Sequence, residues 1–344
     1  MSKKGFGSDN HAGIHPTILQ QMLLSNEGHQ PSYGTDDYSF EAINLFKNHF
    51  GQSAEIHFVY NGTAANILAL RVGLQRHESC LVSDVSHLNI DECGAPEFFA
   101  GKLIPVPSHH GKISIAHLKE KIIRKGDQHF SPVKMLSLTQ PTELGTCYTV
   151  EEIKDICTWA KSENIFVHID GARLSNAAHF LKTTFNKMLV ETGVDIISFG
   201  GTKNGLAFGE AVVILNKDLK NDFKFIRKQS AQLPSKTRFI ASQFKGYLEN
   251  GLYLKIADHV HSMALLLETK LKNVTEITIT QPVQSNAVFA IIPKDWVTLL
   301  RKKFFFYVWN EHTFECRIMM SWDTTPQDII EFTEEILKLT QQTN

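Results

Sequence analysis

From Ala54 to Ile214 the chain alternates short runs of consecutive apolar residues with longer stretches in which apolar positions recur every three or four residues. The runs EIHFVY, SCLVS, KLIPV, VKMLSL, NIFVHI, VDIISF and EAVVIL have the length and side-chain type of buried strands. Between them, GTAANILALRVGL and TVEEIKDICTWAKSE carry the helical period, and the second opens with Thr149 and Glu152 at capping-box spacing. Strands and helices in alternation predict an α/β fold with a doubly wound, mainly parallel sheet. After Leu215 the pattern changes. A mostly helical stretch, about Asp218 to Lys272, leads into short strands at EITIT, NAVFAII, FFFYVW and FECRIMMSW and a last helix from Thr325. This predicts a large domain over residues 1–250, including the N-terminal segment, and a smaller α+β domain over 251–344, with no Gly/Pro-rich linker between them.

Composition narrows the function rather than the fold. At 344 residues, 42% hydrophobic and 21% charged, the chain can bury a large core. Its 35 Lys and Arg balance 36 Asp and Glu, so no net field favours nucleic acid or an anionic membrane surface. The start, MSKKGFGSDNHAGIHP, has no apolar stretch behind its lysines, which predicts neither signal peptide nor anchor and hence a cytoplasmic protein. Apolar runs such as Phe304 to Trp309 are far too short to span a bilayer. The five cysteines are odd in number, scattered and never in a C-x-x-C pair, which disfavours a disulfide framework and a zinc site; no metal is expected.

The candidate chemistry lies at the ends of two apolar runs. Asp170 closes Ile165 to Ile169, and the run Val194 to Phe199 delivers Lys203 within Gly200-Gly201-Thr202-Lys203-Asn204-Gly205. The C-terminal edge of parallel strands is where open α/β sheets bind ligands, and flanking glycines let backbone and amine approach a flat ligand closely. An aspartate that keeps a pyridine nitrogen protonated and a lysine that bonds an aldehyde carbon are the two groups pyridoxal phosphate most needs, so the pair suggests that cofactor. The same residues also read as a helix N-cap and a solvated loop lysine. Asn61-Gly62-Thr63-Ala64-Ala65-Asn66 follows a strand and opens a helix, offering free N–H groups, a hydroxyl and the positive end of the helix dipole to a phosphate, or simply an ordinary cap. It is not a P-loop, because G-K-[ST] is missing. Gly5-Phe6-Gly7-Ser8-Asp9-Asn10 lacks the third glycine and the preceding strand of a dinucleotide fingerprint, and neither G-x-S-x-G nor H-E-x-x-H occurs. Most of the sixteen histidines should be surface or satisfied core residues.

Seven segments in order resemble the threonine aldolases, fold-type-I pyridoxal-phosphate enzymes, and in particular their low-specificity bacterial branch. They are Ser8-Asp9-Asn10, Tyr33-Gly34, the Asn61 to Asn66 turn, His87 in SHLNIDECGAPEFF, His168-Ile169-Asp170-Gly171-Ala172-Arg173, the Gly200 to Gly205 loop, and Arg317 with Ser321-Trp322-Asp323. The resemblance implies that Lys203 holds the cofactor covalently, Asp170 keeps its ring nitrogen protonated, and Arg173 lies near its O3′ and the substrate. It implies further that Gly62 and Thr63 hold the phosphate with Arg238 as an added cation, that His87 sits over the ring, and that Ser8 and Arg317 grip the substrate carboxylate, with Tyr33 also at the substrate. The reaction implied is the lyase cleavage of L-threonine or L-allo-threonine to glycine and acetaldehyde. Many relatives carry a histidine in an Asn-Thr-His-Asn-Gly segment where this chain has Pro141-Thr142-Glu143-Leu144-Gly145, so the base stays open between His87, Glu143 and a held water. A β-eliminating lyase on another amino acid and a non-catalytic metabolite-binding protein are the rival readings. The resemblance also implies a homotetramer built from dimers, with the active site at the dimer interface and Tyr33 or Arg238 reaching into a neighbour's site.

Overall fold

A computed structural model describes residues 5–343. Its strands are β1 (Glu55–Val59), β2 (Ser79–Ser83), β3 (Lys102–Val106), β4 (Ser108–His109), β5 (Lys112–Ile113), β6 (Val133–Thr139), β7 (Phe166–Gly171), β8 (Ile196–Phe199), β9 (Glu210–Ile214), β10 (Thr278–Ile279), β11 (Ala287–Ile291), β12 (Tyr307–Asn310) and β13 (Glu315–Met319). Seven of them form one sheet in the order β1-β9-β8-β7-β6-β2-β3. The pairs β2–β3, β2–β6, β6–β7 and β7–β8 are parallel, as the alternating pattern requires, and most of their residues are buried. β9 departs from that expectation by running antiparallel to both β8 and β1. The physical reason is the connection: Gly200 to Gly209 is too short to carry a parallel crossover, so the chain folds straight back.

Helices cover the sheet. The segment Val150–Ser162 forms with the capping box that its sequence predicts, Thr149 accepting from the Glu152 amide and Glu152 from the Thr149 amide. Asp37–Phe50 and Arg238–Leu248 bring Phe46, Phe50 and Phe244 against Phe58, Phe185 and Phe199, with ring centroids 5–6 Å apart across this cluster. Burying six phenylalanines contributes on the order of 10 kcal/mol of transfer free energy before entropy is counted.

A second, antiparallel sheet has the order β10-β11-β13-β12. The predicted strand FFFYVW begins later than its sequence suggests, at Tyr307. Phe304 and Phe306 turn inward against Phe332, and Phe6 joins the same cluster. The N-terminal segment is tied to this second sheet: the Phe6 amide donates to the Phe305 carbonyl at 2.7 Å, and the Met319 amide to the Phe6 carbonyl at 2.8 Å. That docking delivers Ser8 and Asp9 to the space between the two sheets. Among the described residues, no helix is long and apolar enough to cross a membrane.

Candidate active site

The chain leaves β2 toward β3 on one flank and β6 toward β7 on the other, so the loops after β2 and β6 part at the C-terminal edge of the sheet. A cavity of about 590 Å³ opens there, closed on its far side by Tyr307, Trp309 and Arg317 of the second sheet. Ser8, Gly62, Thr63, His87, Glu143, Asp170, Arg173, Lys203 and Arg317 all line it. Nine of the eleven residues singled out from sequence thus meet in one place, although they span most of the chain.

Asp170 is the penultimate residue of β7, 5% exposed. Its Oδ1 accepts the Ala172 amide at 3.0 Å and its Oδ2 accepts Asn66 Nδ2 at 2.9 Å. It is not the N-cap of the helix that follows, whose cap position is Arg173 without a side-chain bond. His168, two residues earlier on the same face of the strand, is a satisfied core residue: it lies between Ser137 and Ser198 at 2.8 and 2.9 Å, and burial lowers its pKa to about 4.

Lys203 sits in the turn Thr202–Asn204 within the cavity rather than in solvent. Burial, then the Arg173 charge, hold its amine below the ordinary lysine range, while Asp9, Asp170 and Glu210 pull the other way. A depressed amine pKa is what covalent attachment to an aldehyde requires. The glycines before it serve packing more than ligand access. A Cβ on Gly200 would run into the Ala172 carbonyl, and one on Gly201 would come 2.5 Å from the Gly209 carbonyl. Gly200→Ala is therefore expected to destabilise the protein by about 3 kcal/mol, seen as a lowered melting temperature. Glu210, at the start of β9, fastens this loop by accepting the Gly201 amide; burial raises its pKa to about 7.

The helix Gly62–Gly73 points its N-terminus at the cavity. Asn61 caps it through the Ala64 amide at 2.8 Å, and the amides of Gly62 and Thr63 take no partner among the described residues. Arg173 is held by Asp9 through two contacts, Nε–Oδ2 2.5 Å and Nη2–Oδ1 3.0 Å. Burial alone would raise the Asp9 carboxyl, but Arg173 brings it below the usual carboxylate range. Arg317 lies 4.9 Å from the Trp309 ring centroid and 5.5 Å from that of Tyr307, and its Nη2 donates to the Gly7 carbonyl beside Ser8 at 3.3 Å. Burial and the neighbouring Arg173 lower its pKa to about 10, and its Nε is buried without a partner.

Glu143 Oε1 accepts the His87 amide and the Thr139 hydroxyl, each at 2.8 Å, while Oε2 is buried without a partner. Tyr33 and Arg238 do not line this cavity. They lie together on another surface, where the Tyr33 amide donates to Ser235 and Arg238 Nη1 to the Gly28 carbonyl. Asp9, Asn66, Glu92, Glu210 and the aromatic pair Tyr307 and Trp309 were missed as site residues. Asp9, Asn66 and Glu92 stand inside the motifs already quoted, and Glu210 is a lone acid opening an apolar strand.

Pyridoxal phosphate fits this set. Asn66, Glu92, Glu143 and Arg317 line the cavity and each has a buried atom without a partner among the described residues, and the cavity has unclaimed amides at one end, a carboxylate at the floor and a depressed lysine beside it. A family model described as beta-eliminating lyase matches residues 5–294. A low specificity L-threonine aldolase of Pseudomonas aeruginosa is 37% identical over 337 residues, 96% of each chain, and one from a Pseudomonas species matches equally. A threonine aldolase structure from Leishmania major superimposes with a TM-score of 0.93 at 28% identity, over 98% of this chain and 99% of that one. This chain belongs to the threonine aldolase family of beta-eliminating lyases, and its cofactor is pyridoxal phosphate.

Proposed function

We propose that this protein cleaves β-hydroxy-α-amino acids, L-threonine and L-allo-threonine among them, to glycine and an aldehyde. The observation that carries the reading is a single cavity that joins a depressed lysine and a buried aspartate to a carboxylate-binding arginine and an acid that titrates near neutrality. Pyridoxal phosphate supplies the electron sink into which a bond at the substrate Cα can break. Arg317 and Ser8 hold the substrate carboxylate, and the aromatic flank of Tyr307 and Trp309 fixes the guanidinium. This grip sets the rotation about the Cα–N bond and so selects Cα–Cβ cleavage.

Cleavage needs a base for the β-hydroxyl proton. Glu143 suits it, because burial, with the Asp170 charge nearby, raises its pKa to about 7 and leaves Oε2 unclaimed. Its carboxylate fraction grows as pH rises through that value, so aldehyde release should show an acid limb with an apparent pKa of about 7. In Glu143→Gln that limb should vanish and the rate should fall by about 10²- to 10⁴-fold. An unchanged limb in the variant would move the base to another group. Release of an aldehyde from L-threonine, L-allo-threonine and phenylserine tests the reaction class, and no aldehyde from any of the three with cofactor bound would overturn it.

The same reading makes the protein a cytoplasmic homotetramer, a dimer of dimers. Tyr33 and Arg238 then serve a neighbour's cavity, which accords with their surface outside their own.

A further inference from the structure

Glu92 lines the cavity but has no part in the chemistry so far. Its side chain is wholly withdrawn from solvent, just past the short helix His87–Ile90. Its Oε1 lies 2.9 Å from His87 Nδ1 and accepts Asn66 Nδ2 at 2.9 Å. The same Asn66 amide donates to Asp170 Oδ2, also at 2.9 Å. Three elements, the helix beginning at Gly62, the turn after His87 and the end of β7, are thereby joined in one buried chain from imidazole to carboxylate. Glu92 Oε2 has no partner among the described residues, and a buried carboxylate is costly unless a cation stands beside it. His87, with Nδ1 2.9 Å from the other oxygen, can supply one.

We propose that Glu92 is the positioning residue of His87: it holds Nδ1, leaves Nε2 for the substrate, and makes the imidazole a proton donor at the cavity wall, with Asn66 tying the pair to Asp170. Glu143 can then act as the base while His87 supplies a hydrogen bond or a proton, so two adjacent groups take opposite roles. The proposal rests on the aldolase reading for its meaning, though not for its test. The groups that face His87 are consistent with it. The hydrogen bond that His87 donates to Glu92 raises its pKa above the ordinary imidazole range, burial and Lys203 oppose that, Asp170 adds to it, and Glu143 meets only the backbone amide.

Cofactor-loaded protein labelled at histidine ¹³Cε1 should be titrated by NMR, with the His87 signal assigned by its loss in His87→Asn. The wild type should titrate above 6.5, and Glu92→Gln should bring the midpoint down by about one to three units. Glu92→Asp, which keeps the charge on a shorter arm, should fall between. Equal midpoints in wild type and Glu92→Gln would overturn the proposal. So would a wild-type midpoint at or below the ordinary imidazole value, which needs no variant to fold. A cycle on the rate adds a second check: Glu92→Gln should cost little more in the His87→Asn background, whereas a fully additive loss would mean that Glu92 acts other than through His87. No substrate is needed for the titration, so its failure is distinct from a failure of the aldolase reading.

Discussion

Lys203→Ala should lose at least about 10⁴-fold in turnover of L-threonine while the protein keeps its fold and melting temperature, because the covalent link proposed for this residue would act as a unit with the rest of the site. The fold should survive because Lys203 lies on a short turn held by other residues: Glu210 fastens Gly201, and Asn204 Nδ2 donates to the Ala172 and Gly200 carbonyls at 3.0 and 3.2 Å. The loss would therefore report chemistry rather than collapse. Circular dichroism checks the fold, and borohydride reduction followed by peptide mass mapping should find a phosphopyridoxyl group on Lys203 of the wild type and on no lysine of the variant.

Asp170→Asn is the second large effect, a fall of about 10²- to 10³-fold in kcat with KM for threonine little changed. The substitution is nearly isosteric, and the Ala172 amide still finds an oxygen to donate to. What is lost is the negative charge at the floor of the cavity, the charge that would keep the cofactor nitrogen protonated. Asn66 would then face an amide in place of a carboxylate, and turning its own amide to meet it would cost the hydrogen bond to Glu92. Steady-state kinetics distinguish this outcome from a binding defect, in which KM would rise with kcat unchanged.

The parts of this architecture that depend on local pattern were legible in the sequence. Thr149 and Glu152 announced their helix, and the apolar runs announced the strands of both sheets, because period and capping are properties of neighbours in the chain. The antiparallel direction of β9 was not legible from its composition, since EAVVIL suits either direction and only the short return from Gly200 decides it. FFFYVW could not show that its first residues pack with Phe6 and Phe332 instead of joining a strand. At the cavity, Asp170 and Lys203 stand out in the sequence because one closes an apolar run and the other follows such a run within a glycine-flanked loop. Asn66 and Asp9 do not, because their meaning lies in partners 104 and 164 positions away, Asp170 and Arg173. Their motifs carried them, but no local rule told a buried partner from an ordinary polar residue.

Breakage of the Cα–Cβ bond at the site around Lys203 is the proposed reaction. It is tested most directly by a complete product balance after L-threonine is mixed with cofactor-loaded wild type and with Lys203→Ala. Glycine and acetaldehyde in equal amounts from the wild type alone is the result expected here. Ammonia with a keto acid, or consumption of threonine that survives the loss of Lys203, would contradict it.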